Sequence, residues 1–335
     1  MEGQLDRVLR CYPLGEPRDA RRAEQGFVNE NWIVETAQGR YFLKRRHPRL
    51  RQPHLLHAQH ELIGRLRQAG FPAPTIVPTL RDETFLVLDG EFYEIQKYIE
   101  GEPYDHERPA HLEEAALTLG RYHTCVKGFA TQALRHRGEL YRPAAVSWTL
   151  TSLIEAWQLD RDAELAEIAR ELEAQVTDLA VRFAAHGALS HLVIHGDYYA
   201  DNLLFEGDRI IGVVDYDKAS WQPRVVELAE ALIYFASPRP GHLKHLVYPG
   251  FLNWEPFLRF SQSYARAAVL KEKEVRTLSD YIRCIWLSVS LKRLLEKGPC
   301  PAEALQALQE VLALAHWAKA NGHQMVEATH SAMLG

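Results

Sequence analysis

The chain has 335 residues, of which 47% are hydrophobic and 25% charged, and its formal net charge is −5. That balance belongs to a water-exposed globular protein with room for more than one compact unit, and it offers no overall basic field to recruit nucleic acid. No apolar run approaches the roughly 18 residues that a membrane-spanning helix needs, so no membrane role is expected. The N-terminal residues place charges where an export signal needs an apolar centre. Cys11, Cys125, Cys284 and Cys300 show no Cys-x-x-Cys spacing. Both observations lead us to expect a cytoplasmic protein with reduced thiols and no cysteine metal cluster.

Residues 22–46 read as strands. Phe27, Trp32, Ile33 and Val34 precede a turn at Gln38-Gly39, and Tyr41-Phe42-Leu43-Lys44 follows it. From His54 to Ala69 the apolar residues Leu55, Leu62, Leu66 and Ala69 recur at helical spacing, with Gly70 as the stop. Phe71-Pro72-Ala73-Pro74 is extended, because a residue before proline is pushed out of the helical region. Asp89-Gly90 lies between Thr84–Leu88 and Phe92–Gln96, a hairpin signal because that pair tolerates positive φ. Beyond Gly101 the pattern turns helical over 109–128, 149–186, 224–237, 251–270, 274–297 and 302–320. We therefore expect an α+β protein with two lobes. Residues 1–97 form a small β-rich lobe and residues 98–335 a large, mainly helical one, with a link near 97–103 and a small-molecule cleft between them.

The helical half is interrupted by HGDYYADNLLFEGDRIIGVVDYD, residues 195–217. Glu206-Gly207-Asp208 between two apolar β runs is turn chemistry. Closing that hairpin brings Asn202 and Asp215 together, with Asp197 in the loop just before. An amide oxygen and a carboxylate suit Mg²⁺, which takes its remaining ligands from water and phosphates. A separate carboxylate, Asp197, can accept the proton of an attacking hydroxyl. Asp197 and Asn202 stand five positions apart, the interval of the H-R-D-L-x-x-x-N catalytic loop.

Taken together, HGDYYADNLLF…GVVDYD resembles the catalytic and metal segments of the aminoglycoside phosphotransferase and choline kinase superfamily. GFVNENWIVETAQGRYFLK (26–44) is similar to the first hairpin of homoserine kinases of the protein-kinase-like type, and YIEGEP (98–103) to the link these proteins share. The resemblance implies a two-lobed protein-kinase-like fold and an ATP- and Mg²⁺-dependent transfer of phosphate to a small-molecule hydroxyl. Asp197 becomes the base, His195 a residue orienting its loop, Asn202 and Asp215 the metal ligands, and Lys44 the nucleotide lysine. Glu61, in the first long helix, is the partner expected for Lys44. The stretch Gly26–Asn31 would cover the phosphates, with Asn29 either touching them or serving as a turn residue, and backbone groups around Lys97 to Ile99 would meet the adenine.

Other groups fall outside this scheme. The basic run after Lys44, from Arg45 to Arg51, reads as a solvated face. His54, His57 and His60 recur at every third position, but the first and last diverge by roughly 120° around a helix, so they read as a polar face and not as a zinc trio. Asp217 is divided between a ligand and a solvated loop acid, and Asp201 sits on the acceptor side. Glu100, Glu102, Asp105, Glu227 and Glu230 would suit a cationic acceptor. Few residues separate Asp217 from the helix near Arg224, and nothing there resembles a peptide-binding activation segment ending in Ala-Pro-Glu. A small alcohol is thus favoured over a protein Ser/Thr acceptor. A nucleotide-binding scaffold without catalysis is the alternative outside enzymes.

Overall fold

A computed structural model describes residues 2–23, 28–238, 251–298 and 300–334. In chain order the first elements are α1 (Glu2–Leu9), β1 (Pro17–Arg22), β2 (Glu30–Thr36), β3 (Gly39–Arg45), α2 (Pro53–Gln68), β4 (Ile76–Val77), β5 (Leu86–Leu88) and β6 (Glu91–Lys97). The middle of the chain holds α3 (Pro109–Cys125), α4 (Gln132–Arg135), α5 (Pro143–Trp157), α6 (Ala163–Ala185) and β7 (His191–Ile194). It continues with β8 (Leu203–Glu206), β9 (Arg209–Val213), β10 (Ser220–Pro223) and α7 (Arg224–Phe235). The chain closes with α8 (Trp254–Ala265), α9 (Glu272–Glu296), α10 (Ala304–Ala320) and α11 (Gly322–Leu334). Among the described residues no helix is long and apolar enough to cross a membrane.

Two compact units emerge, and neither is continuous in sequence. The first takes Met1–Tyr104, Cys125–Arg137 and His195–Ala219; the second takes Asp105–Thr124, Gly138–Ile194 and Ser220–Gly335. The HGD segment thus packs with the sheet of the first unit, although it is flanked in sequence by β7 and β10 of the second.

The first unit is built on an antiparallel sheet of order β1-β2-β3-β6-β4, with β5 also paired to β6. Both hairpins expected from the sequence are present. Gly39 at φ +141° opens the second arm of β2–β3, and Asp89 (φ +53°) with Gly90 (φ +78°) turns β5 into β6. Strand geometry sends alternate side chains to opposite faces. Tyr41, Leu43, Tyr93 and Ile95 face a core shared with Val8, Leu9 and Tyr12 of the N-terminal segment. Each fully buried Leu or Ile there contributes about 1.5–3 kcal/mol. Lys44, Arg46, Glu94 and Gln96 occupy the alternate positions and point to the other face, where all four are buried.

The second unit is helical around Leu150, Leu153, Leu172, Leu287, Leu291 and Leu308, residues of α5, α6, α9 and α10. Its helices run close to the periodicities read from sequence, although α5 already begins at Pro143 and α11 lies beyond the last helix expected. The segment expected to be a single helix over 149–186 breaks into α5 and α6, because Gln158 adopts a left-handed conformation (φ 53°) and Asp162 then caps α6 through Glu164 N and Leu165 N.

Candidate active site

Lys44 sits mid-sheet, opposite Asn31 on β2 and Glu94 on β6. Its ammonium lies 3.3 Å from Asp215 Oδ1, 3.4 Å from Asp217 Oδ1 and 3.9 Å from Glu94 Oε1. Two residues on, Arg46 shares that face. It donates to Asp217, to Glu94 Oε2 at 3.1 Å and to Gln59 Oε1 at 3.1 Å. His60 on α2 reaches the same Glu94 Oε2 at 2.8 Å. Asp217 accepts from Asn29 Nδ2 at 2.6 Å, and its backbone oxygen takes bonds from Gln59 Nε2 (3.1 Å) and Arg137 (2.5 Å). The Asn29 amide oxygen in turn accepts from the His47 N–H at 2.9 Å.

Burial in this cluster opposes charge on every member, and the ion pairs outweigh it for Glu94, Asp217 and Lys44 but not for Asp215. Against that burial, Arg46, His60 and Lys44 bring Glu94 down to about 2. Lys44 and Arg46 likewise hold Asp217 far below the usual carboxylate range. Lys44 is pushed up despite desolvation, because Asp215 and Asp217 face it. Asp215 moves the other way: desolvation raises it, Lys44 only partly offsets this, and the charges of Asp217 and Asp197 add to the rise.

The HGD loop is locked by backbone contacts. Gly196 has φ +77°, and a Cβ there would lie 2.5 Å from the Lys218 carbonyl oxygen, so only glycine fits. His195 is fully buried. Its Nε2 lies 3.0 Å from the Val214 carbonyl and its Nδ1 3.3 Å from the Asp197 N–H. A carbonyl can only accept, so the proton is assigned to Nε2, and both ring nitrogens are committed to the backbone. These contacts tie the ring to the backbone at Val214 and Asp197. Asn202 donates Nδ2 to Asp197 O at 2.8 Å, and its own backbone oxygen accepts from Val214 N at 3.0 Å. With Leu203 opposite Val213, the hairpin β8–β9 thus brings Asn202 beside the residue that precedes Asp215. Asp215 itself is left-handed (φ 66°), a conformation uncommon outside glycine, and its side chain remains 40% exposed. Asp197 Oδ1 accepts from Lys218 Nζ at 2.6 Å.

The donors fit a hard divalent cation. With Nδ2 of Asn202 given to Asp197 O, its amide oxygen is the remaining side-chain donor atom, and Asp215 offers a carboxylate that is still in contact with solvent. Among the described residues no group of three or more His, Cys, Asp or Glu is arranged to hold a metal. Two oxygen donors are the number Mg²⁺ commonly takes from protein when phosphates and water complete its shell.

Most residues singled out in the sequence meet within the first unit: Lys44, Asn29, Asp197, His195, Asn202 and Asp215. Glu61 does not join them. It is exposed on α2, and the acids beside Lys44 are Asp215, Asp217 and Glu94. Helical spacing explains the difference, since Gln59, His60 and Ile63 turn inward and carry position 61 outward. Two further expectations are corrected here: Arg46 is 3% exposed and therefore not part of a solvated face, and His60 is buried against Glu94. Lys97 is exposed at the end of β6 with its N–H given to Thr75 O, and Ile99 packs over Gly212. Gly26 and Phe27, in the expected phosphate-covering stretch, lie outside the described residues. Glu227 is fully buried in the second unit, bonded to His123, and so is no open acceptor-side acid there. Arg46, Glu94 and Gln59 were missed. For Arg46 and Glu94 the signal was alternation, since polar 44, 46, 94 and 96 alternate in face with apolar 41, 43, 93 and 95, and for Gln59 it was its place on the buried side of α2.

The chain belongs to the APH phosphotransferase enzyme family, whose model matches residues 19–252. It is 29% identical over 215 residues to a homoserine kinase of Methylobacillus glycogenes, an alignment covering 64% of this chain. The chain spans 62% of that relative's length. A homoserine kinase of Pseudomonas aeruginosa is 27% identical over 246 residues, covering 71% of this chain and 72% of its own. Among solved structures, an amicoumacin kinase superposes with a TM-score of 0.66 at 13% identity, over 96% of this chain and 93% of its own. An aminoglycoside phosphotransferase from Alicyclobacillus acidocaldarius gives 0.65 at 19%, over 97% and 96%. At those identities the likeness is one of fold.

Proposed function

We propose that this chain transfers the γ-phosphate of ATP to the hydroxyl of a small molecule. Residues 1–97 would carry the nucleotide and residues 98–335 the base and the acceptor. The observation that supports this most is the closure of the β8–β9 hairpin, which sets Asn202 against Val214, the residue before Asp215, with Asp215 Oδ1 3.3 Å from Lys44 Nζ. The homoserine kinases to which the chain is similar, and the choline, aminopropanol and amicoumacin kinases whose fold it shares, support a small alcohol as acceptor. So does the brevity of the link from Asp217 to α7, which leaves little chain for docking a peptide.

In this reading Asp197 accepts the hydroxyl proton while its backbone oxygen, held by Asn202 Nδ2, fixes the loop. Asn202 Oδ1 and the Asp215 carboxylate would hold Mg²⁺, which when bound supplies charge neutralisation across the phosphates. Lys44 gives the phosphates a fixed positive point charge from within the sheet. Lys218 holds Oδ1 of Asp197, and the second carboxylate oxygen would take the proton. Positioning and preorganised charge, and not covalent chemistry, supply the rate.

The test is consumption of Mg–ATP over a panel of amino alcohols including homoserine and choline, aminoglycosides and sugars, with Asp197→Asn as blank. An acceptor-dependent rate that vanishes in Asp197→Asn supports the reading. Undiminished turnover in that variant overturns it. Tight Mg–ATP binding with no transfer to any acceptor leaves a nucleotide-binding scaffold, and phosphate found on protein identifies a protein kinase.

A further inference from the structure

A lysine that meets phosphates can be held by a carboxylate on the neighbouring helix or by one on the neighbouring strand. In protein kinases the partner is on a helix, so displacing that helix breaks the pair. Here the strand provides it. Lys44 and Glu94 are Cα partners in the β3–β6 ladder, and their side chains are 7% and 2% exposed. The facing helix α2 contributes Gln59 and His60, with Glu61 turned to solvent.

Glu94 is itself fixed on several sides. Arg46 and His60 both bind its Oε2, at 3.1 and 2.8 Å, and Gln96 Nε2 reaches Oε1 at 3.3 Å. Oε1 is the Glu94 oxygen paired with the lysine, at 3.9 Å, while Asp215 and Asp217 approach the same ammonium to 3.3 and 3.4 Å. Strand register sets the backbone pairing of Glu94 with Lys44, and α2 touches that carboxylate through His60 alone among these three contacts.

We propose that Glu94 is the positioning residue for Lys44, an ion pair internal to the sheet that keeps the ammonium aimed at the nucleotide phosphates without any movement of α2. This rests on the reading of Lys44 as a phosphate-binding lysine.

Titration calorimetry of Mg–AMP-PNP with the full chain tests it, and no acceptor is needed. Lys44→Met and Glu94→Gln each weaken binding about tenfold, the scale of a moderate coupling. The double variant is no weaker than Lys44→Met alone, because Glu94 acts only through the lysine. Glu94→Asp, which keeps the charge on a shorter stem, recovers part of the loss, and Glu61→Gln binds like wild type. Should Glu94→Gln fail to fold, Glu94→Asp carries the same cycle with Lys44→Met. Wild-type binding by the Glu94 variants, additive losses in the double variant, or a loss in Glu61→Gln overturns the proposal. A weakened Lys44→Met beside an intact Glu94→Gln overturns this proposal alone. Wild-type binding by Lys44→Met overturns the phosphate role of the lysine and this proposal with it.

Discussion

Two buried polar networks, one in each unit, differ in how they end. In the second unit His123 bonds Tyr264 Oη at 2.8 Å and Glu227 Oε2 at 2.9 Å, while Arg224 grips both oxygens of Glu274 at 2.8 and 2.6 Å. Glu227, Glu274 and Tyr264 have no exposure at all. That network closes on itself. The network of the first unit runs from His60 through Glu94, Arg46, Asp217 and Lys44, then stops at Asp215, whose side chain is 40% exposed. A closed network specifies packing, because each charge is matched within the protein. An open one keeps an anion in reserve at its end, where a cation or a phosphate-bound metal can complete it.

Breaking each network in turn separates chemistry from packing. The largest effect is expected at Asp197. Asp197→Asn lowers turnover by about 10²–10⁴-fold, the usual contribution of a general base, and leaves Mg–nucleotide affinity near wild type by calorimetry. Asp215→Asn removes the charge of the proposed metal ligand, so Mg–nucleotide affinity should drop about 10- to 100-fold, equivalent to the ~1.5–3 kcal/mol of a charge-assisted contact. Arg46→Ala strands Glu94 and Asp217 together. It should cost about 3–5 kcal/mol in denaturant unfolding, as removal of one partner from a buried pair does. Tyr264→Phe in the closed network removes one hydroxyl contact to His123 and costs about 1–3 kcal/mol of stability. Nucleotide binding should be unaffected, and a change in it would mean that the two networks are not separable.

The smallest effect is on acid stability. Glu94 falls from an ordinary 4.5 to about 2 in the folded protein. A depressed carboxyl stabilises the fold above its unfolded value and loses that contribution as protonation sets in. Wild type should therefore lose stability progressively as pH drops from about 4.5 towards 2. In Glu94→Gln this part of the slope is absent, although Asp217 still contributes its own. Equilibrium unfolding across that range measures the difference.

Local signals carried much of this molecule. Asp89-Gly90, Gln38-Gly39 and Glu206-Gly207-Asp208 mark their turns because few residues accept those backbone angles, and all three hairpins form. The helix break at Gln158 was not legible, since nothing in glutamine favours a left-handed conformation and the surrounding apolar periodicity runs through it. The HGD segment could be read because its members lie within one hairpin and its preceding loop. The partner of Lys44 could not, because position 94 lies far along the chain and comes beside position 44 only through the β3–β6 register. Helical periodicity alone could have removed Glu61, since 55, 59, 62, 63 and 66 define the buried side of α2.

The contact of Gly196 with the carbonyl of Lys218 has a consequence for chain length. It joins the two ends of the segment that bears the proposed base and both metal-ligand candidates, so the segment is a closed loop of set circumference. One residue inserted into β8 or β9 would reverse the facing of everything beyond it and pull Asp215 off its neighbour. The far tip at Gly207-Asp208 is the place where extra residues can be absorbed. Length variation, or a peptide tag inserted by design, should be tolerated there and refused everywhere else between 196 and 218.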